Sequence, residues 1–466
     1  MSAVTLRGMV SVVAVVSLSG CGRARPRDRA PARATVDAGR DSYIRRAPRP
    51  ATGCPGAAST SPGEGSLHGD TVAGVERWLA AESPHRVPYG LHVHPGGALT
   101  IEPCALVLVG PRMEVVVHGG ATLRAAAAPG RPIRFARLDP ALPWQALEVR
   151  EDALPGTTVD GAVLEGGGAA PTERGVTAAT LRLAMRAGLS AAGLSIVGGD
   201  GWGVAVLGAG RFADRDATIE LRGLRGDGAV TVEDVNRVAG LPRLSMRDNA
   251  SNDVRVEARV RTLTADARWR SPGPDSRYRV RPAMHVIVEG TDSPVLTLEA
   301  GTRVSFGAGA ELDVGFGAPG ALVAEGETSR PVVFDGADEE RWVGIQLGPR
   351  LDAARSRLRS VRIAHAGAAS GVVLPTCGCP EGHADQAMLT LQGVSGPVAM
   401  QSVSFVDGPN EGFALLWAGN YPDSAAGLPA EVGALDFTRS GVRCRVGAPL
   451  RRGRCPPEAR TTAEPR

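Results

Sequence analysis

Short runs of alternating apolar and polar residues dominate the chain from about residue 66 onward. Leu99 and Ile101 flank a polar residue, and Val304 and Phe306 do the same. A period of two over short runs that Gly or Pro interrupts is typical of β-strands, and no convincing amphipathic helix separates these runs. Strand-sized pieces recur roughly every ten to twenty residues without hairpin turns such as Asn-Gly. An all-β solenoid of stacked coils explains this spacing better than a sandwich or a barrel does.

The same landmarks occur twice along the chain, at an offset of 197 to 199 residues. Several landmarks that recur in one order at a nearly constant offset are the signature of an internal repeat. We therefore predict two tandem modules, residues 66–240 and residues 241–447. The matched segments are 99–103 with 296–300, 132–135 with 331–334, 144–147 with 342–345, and 159–164 with 358–363.

The second copy of the repeat resembles the right-handed parallel β-helix domains of bacterial surface lipoproteins. The resemblance rests on the segments LTLEAGTRVSFGAGAELDV, GALVAEGETSRPVVF, WVGIQLG and LRSVRIAHAG. The first copy departs from that pattern, because Cys104 stands where the pattern has Gly and Gln145-Ala146 interrupts Trp-x-Gly-Ile. The resemblance implies an all-β fold of two tandem right-handed parallel β-helix modules. It implies architecture rather than activity, because this family is functionally broad.

The N-terminus has the features of an export signal. Arg7 precedes an apolar run, and small residues follow it. A charged start, a short apolar stretch and small residues before a cut site are typical of a secretory signal peptide, here residues 1–20. Leu18-Ser19-Gly20-Cys21 resembles the lipobox of bacterial lipoproteins, which implies lipidation of Cys21. Gly22 rather than Asp follows the cysteine, and this favours the outer membrane within the cell envelope.

The segments at both ends of the repeat lack a periodic apolar face. Residues 21–65 are rich in Arg, Pro, Ala, Gly and Ser, and we predict a disordered tether there. Residues 448–466 are predicted to be a disordered C-terminal tail. The net charge is +3, so no strongly basic surface points to a nucleic-acid partner. The membrane, through the lipid, is the first predicted partner.

Six cysteines remain after Cys21, and an even number outside the cytoplasm indicates disulfides. Their pairing stays open, although Cys444 with Cys455 is the easiest local pair. A loop at residues 375–385, which the first module lacks, contains two of the six and His383. Cysteine and histidine together also bind zinc, but oxidised thiols are favoured outside the cell, and no metal site is predicted. The six cysteines are Cys54, Cys104, Cys377, Cys379, Cys444 and Cys455.

Clustered acidic residues follow two strands of the second module. Carboxylates on β-helix loops can bind Ca²⁺, the one cofactor that the pattern admits, and a solvated turn is the alternative. The candidate ligand-loop residues are Asp335, Asp338, Asp407, Glu411 and His383. His92 and His94 share one face of a strand, with His118 expected a coil away, either as metal or acid–base groups or as ordinary exposed histidines.

Catalytic signatures are missing from the sequence. The chain has no Gly-x-Ser-x-Gly, His-Glu-x-x-His or phosphate-binding loop, and aromatic residues are only 4% of it. The leading hypothesis is a non-catalytic binding or scaffold protein of the cell envelope whose ligand is a glycan or a protein. The rivals are a polysaccharide lyase or hydrolase, which needs convergent ionisable groups in a cleft, and a structural spacer, which binds nothing.

Overall fold

The structure is a computed structural model, and it describes residue 54 and residues 65–153, 156–171, 177–372, 385–418, 420–421, 435–442, 444–447 and 450–451. The predicted signal peptide, Cys21, nearly all of the tether and most of the 375–385 loop lie outside the described residues. The described residues belong to one compact unit within residues 50–466. Among the described residues, no helix has the length and apolar character that crossing a membrane requires.

The described chain is a parallel β-helix, as predicted from the alternating pattern. Each coil contributes a short strand to successive sheets, and every strand pair is parallel. The first sheet contains β1 (Ser66–Leu67), β4 (His85–Val87), β7 (Leu106–Val109), β10 (Arg134–Arg137), β12 (Val163–Glu165), β15 (Ser195–Val197), β18 (Thr218–Arg222) and β20 (Arg243–Arg247). The third sheet contains β3 (Val75–Trp78), β6 (Ala98–Ile101) and β9 (Thr122–Arg124), and it continues through single bridges towards β14 (Gly188–Leu189) and β17 (Arg211–Phe212).

The second sheet runs through both halves of the described chain. Its strands are β2 (Thr71–Val72), β5 (Leu91–Val93), β8 (Val115–Val117), β11 (Leu147–Val149), β13 (Ala179–Leu183), β16 (Trp202–Val206), β19 (Val230–Asp234), β21 (Val254–Val260), β24 (Tyr278–Val280), β27 (Arg303–Phe306), β30 (Val332–Gly336), β32 (Arg357–Ala364), β34 (Ala399–Val406) and β37 (Leu435–Arg439).

The C-terminal half adds two further ladders. The fourth sheet contains β22 (Thr262–Leu263), β25 (His285–Val288), β28 (Glu311–Val314), β31 (Gly344–Leu347), β33 (Ala387–Gln392), β35 (Phe413–Ala418) and β38 (Cys444–Gly447). A shorter ladder of β23 (Ala267–Trp269), β26 (Val295–Leu298) and β29 (Ala321–Glu325) joins the first half of β32. The remaining elements are the paired strands β36 (Asn420–Tyr421) and β39 (Leu450–Arg451), one helical turn, α1 (Val235–Val238), and 3₁₀ turns at Ala80–Glu82 and Ala337–Glu339.

One apolar core extends along the described stack. Inward positions of adjacent coils lie directly above one another, as Val107, Phe135 and Leu164 do in the first sheet. All three side chains are at most 1% exposed, and a single core cluster extends from Val72 to Trp417. Each coil therefore buries its inward residues against the next coil, which is how a solenoid is stabilised.

The predicted boundary at residues 240 and 241 does not separate two compact units. At this junction α1 follows β19, in the place that β17 takes after β16 and that β22 takes after β21. The first sheet ends at β20. The second sheet continues without a break, because β21 pairs with β19 on one side and with β24 on the other. In the first copy of the repeat β6 is followed by β7 in the first sheet, whereas the matching β26 is followed by β27 in the second sheet. The second copy is therefore advanced by one sheet around the coil.

Matched residues of the two copies make matched contacts. The indole Nε1 of Trp144 donates to the backbone oxygen of Glu165 at 2.8 Å, and that of Trp342 donates to Ala364 at 2.9 Å. Both indoles are fully buried. Trp202 is only partly buried, and the guanidinium of Arg255 lies 5.9 Å from its ring.

Candidate functional site

A groove of about 700 Å³ lies on the second sheet where it crosses the second copy of the repeat. Strands β27, β30 and β32 form its floor, and the segments that precede β24 and β30 form its sides. The polar residues that line it are Ser271, Arg303, Ser329, Arg330, Asp335 and Arg362. No aromatic ring lines this groove, so a ligand there is held by charge and hydrogen bonds rather than by stacking.

The strand register sets the spacing of the arginines across the groove. Arg303 of β27 pairs with Val333 of β30, which in turn pairs with Arg362 of β32. Adjacent strands of a sheet lie about 4.8 Å apart, so two spacings separate the Cα atoms of Arg303 and Arg362 by about 9–10 Å. The alternating pattern of each strand points both side chains to the same outer surface.

The groove carries excess positive charge. Among the described residues, neither Arg303 nor Arg362 has an ion-pair partner, and the Nε of Arg362 is buried without a hydrogen bond. Arg330 uses Nη2 to donate to the backbone oxygen of Ala300 at 2.7 Å, so its charge is not neutralised either. Asp335 is the one carboxylate in the lining. Planar guanidinium groups that lack a protein partner are well suited to bind carboxylates or phosphates.

Asp335 also belongs to a group of three ionisable side chains beside the groove. Its Oδ1 lies 2.8 Å from Nδ1 of His365, and Nε2 of the same ring lies 3.7 Å from Oδ2 of Asp407. Arg341 holds the backbone nearby by donating to the oxygen of Asp407 at 2.8 Å. The sequence predicted Asp335 and Asp407 as separate turns; the stacking of β30, β32 and β34 brings them to the two sides of one imidazole.

His365 was missed by the sequence reasoning, although the repeat contains a signal for it. At the offset of 199 residues, His365 corresponds to Gly166 of the first copy. Both positions have a left-handed backbone, with φ of 51° at His365 and 73° at Gly166. Asp407 is also left-handed, with φ of 52°. An ionisable residue at a position that favours glycine is a departure from the structural pattern, and such departures tend to occur at functional sites.

The other two predicted acidic residues lie apart from this group. Asp338 forms an ion pair with Arg279 and is largely exposed, and Glu411 is exposed. Asp338 turns to Arg279, whereas Asp335 and Asp407 face His365. His383 lies outside the described residues.

The three histidines of the first module do come together on the second sheet. His92 and His94 lie at β5, and His118 follows β8 on the next coil. Nδ1 of His92 lies 3.1 Å from Nε2 of His118, and the ring centroids of His94 and His118 are 5.1 Å apart. Burial first, and then the nearby charge of His92, lowers the pKa of His118. This cluster therefore favours a neutral imidazole at His118.

A fourth group, on the fourth sheet, was not predicted. His285 of β25 lies against Glu311 and Asp313 of β28, with Nδ1 at 3.3 Å from Oδ2 of Asp313 and in closer contact with Oε1 of Glu311. Burial and the neighbouring Glu311 raise the pKa of the Asp313 carboxyl to about 8. In the sequence, Met284-His285-Val286 stands at the place in the second copy that corresponds to the strand of His92 and His94, with only one histidine.

A second groove lies in the first module, and the arginine that lines it is paired with a carboxylate of the same lining. Its lining includes Glu151, Asp152 and Arg186. The guanidinium of Arg186 pairs with the carboxylate of Asp152 at 2.6 Å, and both side chains are well exposed. Because its one arginine is already paired, this surface offers a ligand less uncompensated charge than the groove around Arg303 does.

The described cysteines are disulfide-bonded. Cys54 pairs with Cys104 across 50 residues, so the bond ties the tether to the first module. Cys444 is also disulfide-bonded. Cys21, Cys377, Cys379 and Cys455 lie outside the described residues.

Comparison with known proteins adds no further identification: no protein-family model, no curated protein and no solved structure matches this chain.

Proposed function

We propose that the protein is a lipid-anchored, extracytoplasmic binding protein of the cell envelope, tethered through Cys21 to the outer membrane, and that its ligand is an acidic glycan. The observation that carries the proposal is the pair of arginines, Arg303 and Arg362, which lie in one groove without an ion-pair partner among the described residues. Arg303 is exposed and Arg362 is half-buried, with its Nε buried and without a hydrogen bond. A bound carboxylate would give that Nε a charged partner and would bridge to the exposed guanidinium of Arg303.

A glycan fits the groove better than a compact anion does. The two guanidinium groups originate on strands two spacings apart, about 9–10 Å, so they match charges spread along an extended chain. Ser271 and Ser329 add hydroxyl groups to the lining, which suits the hydroxyl-rich surface of a sugar. Neutral sugars usually need an aromatic platform, and the lining lacks one. The ligand class is therefore a polysaccharide that carries carboxylate groups.

The cell-envelope location rests on the sequence. The lipobox-like Leu18-Ser19-Gly20-Cys21 and the signal-like residues 1–20 support export and lipidation. The disulfide between Cys54 and Cys104 is consistent with an oxidising compartment. A tether between the lipid and the β-helix would give the groove reach above the membrane surface.

A second function, eliminative cleavage of the same glycan, is favoured by one observation. Asp335 both lines the groove and holds Nδ1 of His365 at 2.8 Å. A lyase needs an arginine that neutralises the substrate carboxylate and a base that removes the adjacent proton. Arg362 and His365 are the residues of this chain suited to those roles.

The test is binding of the full chain to an array of acidic and neutral polysaccharides, followed by an assay for unsaturated products. We expect binding to the acidic set that weakens as salt is raised, because charge carries it. Arg303→Ala with Arg362→Ala should weaken it about tenfold or more, since a hydrogen bond to a charged group contributes about 1.5–3 kcal/mol.

The matched control is Arg222→Ala, which removes an exposed arginine of β18 on the first sheet, away from the groove. Equal loss of binding in this control, or equal affinity for neutral glycans, would contradict the proposal. Unsaturated products that disappear in His365→Gln would replace the binding function with the lyase. Binding without products supports the binding protein.

A further inference from the structure

The fourth sheet carries a group of metal-ligating side chains that the proposed function does not use. His285, Glu311 and Asp313 each offer one ligand atom, and these atoms lie within 4.8 Å of one another. His285 and Glu311 are direct neighbours in the parallel ladder of β25 and β28, and Asp313 lies two residues further along the same face of β28. The group therefore spans two adjacent coils.

The negative charge of this group is not balanced by the protein. The side chains of Glu311 and Asp313 are only 13% and 16% exposed, and among the described residues their one ionic partner is His285. Glu289 adds a third carboxylate nearby, and its Oε2 is already occupied by the backbone N–H groups of Gly317 and Ala318. Two crowded, poorly hydrated carboxylates need either a proton or a cation between them.

A fourth potential metal ligand lies on the next rung of the sheet. Gln346 of β31 pairs with Asp313 in the next rung of the sheet, so its side chain emerges on the same outer face about 4.8 Å along the sheet. This residue is only 9% exposed, yet its carboxamide has no hydrogen-bond partner among the described residues. The carboxamide oxygen is an acceptor that no other described residue engages, so it is free to coordinate an ion on that face.

We propose that His285, Glu311 and Asp313 bind a divalent transition-metal ion of the Zn²⁺ type, with the carboxamide oxygen of Gln346 as a fourth ligand. Imidazole nitrogen together with carboxylate oxygen is the donor set of Zn²⁺ and its neighbours in the first transition row. Calcium and magnesium prefer all-oxygen sites, so the histidine disfavours both ions. The ion would clamp the coils of β25, β28 and β31 together.

The test uses the full chain, stripped of metal with a chelator and titrated with Zn²⁺ and with Co²⁺ as a spectroscopic probe. We expect wild type to bind about one equivalent more than the double variant Glu311→Gln with Asp313→Asn. We also expect Zn²⁺ to raise the Tm of wild type more than that of the variant, since a ligand that binds only the folded state stabilises it. The difference between variants discounts metal that binds the other histidine clusters.

The matched control is Glu325→Gln, which removes a carboxylate from an exposed ion pair with Arg357. It should keep the wild-type stoichiometry and Tm response. His285→Gln provides a second variant, because its partly exposed side chain is replaced without disturbing the core. Equal metal binding by wild type and both site variants, or no binding by wild type, would overturn the site. Calcium binding of equal or greater strength, lost in the same variants, would overturn the choice of a transition metal.

Discussion

Cys104, His365 and Asp407 adopt a left-handed backbone in which glycine is usually preferred. The matched position of Cys104 in the second copy is Gly301, whose φ of 81° is close to the 77° of Cys104. The first copy therefore keeps the backbone of the repeat and accepts strain to place a sulfur that bonds Cys54. At His365 the second copy accepts similar strain to place an imidazole between two carboxylates.

Replacing the Cys54–Cys104 disulfide separates the contribution of the cross-link from that of the backbone. Removing both thiols should lower the free energy of unfolding by about 2–4 kcal/mol, the usual range for a disulfide that closes a long loop. Cys54→Ser with Cys104→Gly should be about 1 kcal/mol more stable than Cys54→Ser with Cys104→Ser, because only the serine is strained at positive φ. Urea unfolding under oxidising conditions measures both differences.

Gly301→Ser is the control for this comparison. It introduces a side chain at the matched left-handed position of the second copy, where no disulfide is involved, and we expect a loss of similar size. Equal stability of the two double variants would show that the left-handed backbone at residue 104 does not survive without the disulfide.

Strand β13 presents a buried charge on the outer side of the second sheet. Arg182 is only 1% exposed, and its Nη2 contacts Glu114 at 2.5 Å and Glu148 of β11 at 2.6 Å. Its Nε and Nη1 have no hydrogen-bond partner. The sheet is therefore covered on both sides here, which a simple inward–outward alternation does not anticipate.

Removing Arg182 should lower the free energy of unfolding far more than removing an exposed arginine does. Arg182→Ala removes the buried partner of Glu114 and Glu148 and leaves the half-exposed Arg150 as their remaining ionic partner. The loss should therefore lie at the lower end of the about 3–5 kcal/mol that breaking a buried ion pair costs. Arg186→Ala, on the same coil, breaks the well-exposed pair with Asp152 and should change stability little. Chemical denaturation of both variants is the measurement, and similar losses would contradict the buried network.

The second sheet continues from one copy of the repeat into the other within the described residues. At the junction β21 pairs with strands of both copies, and the apolar core passes through Val232, Val256 and Leu263 without a gap. The second copy is advanced by one sheet relative to the first. Strands β21 and β24 nevertheless pair directly in the second sheet. This arrangement requires the junction to be as well ordered as the interior of either copy.

Hydrogen exchange tests this requirement directly. We expect the amides of β21 to be protected as strongly as those of β13 and β32, because all three donate to a continuous parallel ladder. The short terminal strand β1 supplies the comparison for a fraying end. Fast exchange across β21, with protected strands on both sides, would mean that the copies are independent modules joined by a linker.

Particular residues mark how far the sequence could predict this molecule. Trp144 and Trp342 hold matched positions of the repeat and are both buried, because equivalent positions in stacked coils have equivalent surroundings. Asp335 and Asp407 were recognised as acidic turns, but their meeting at His365 was not. The glycine that matches His365 in the first copy was visible at the offset of 199 residues, and comparing the two copies position by position would have found it.

The strands and their stacking can be read from residue order because burial imposes a period of two within a strand and a repeat from coil to coil. The groups of ionisable side chains cannot be read this way, since they depend on which rungs become neighbours around the coil. Arg303 and Arg362 are 59 residues apart in the sequence. The group of His285, Glu311 and Asp313 extends over 28 residues, from 285 to 313. Only the register of the parallel ladders places them on one surface, and that register follows from packing of the whole core.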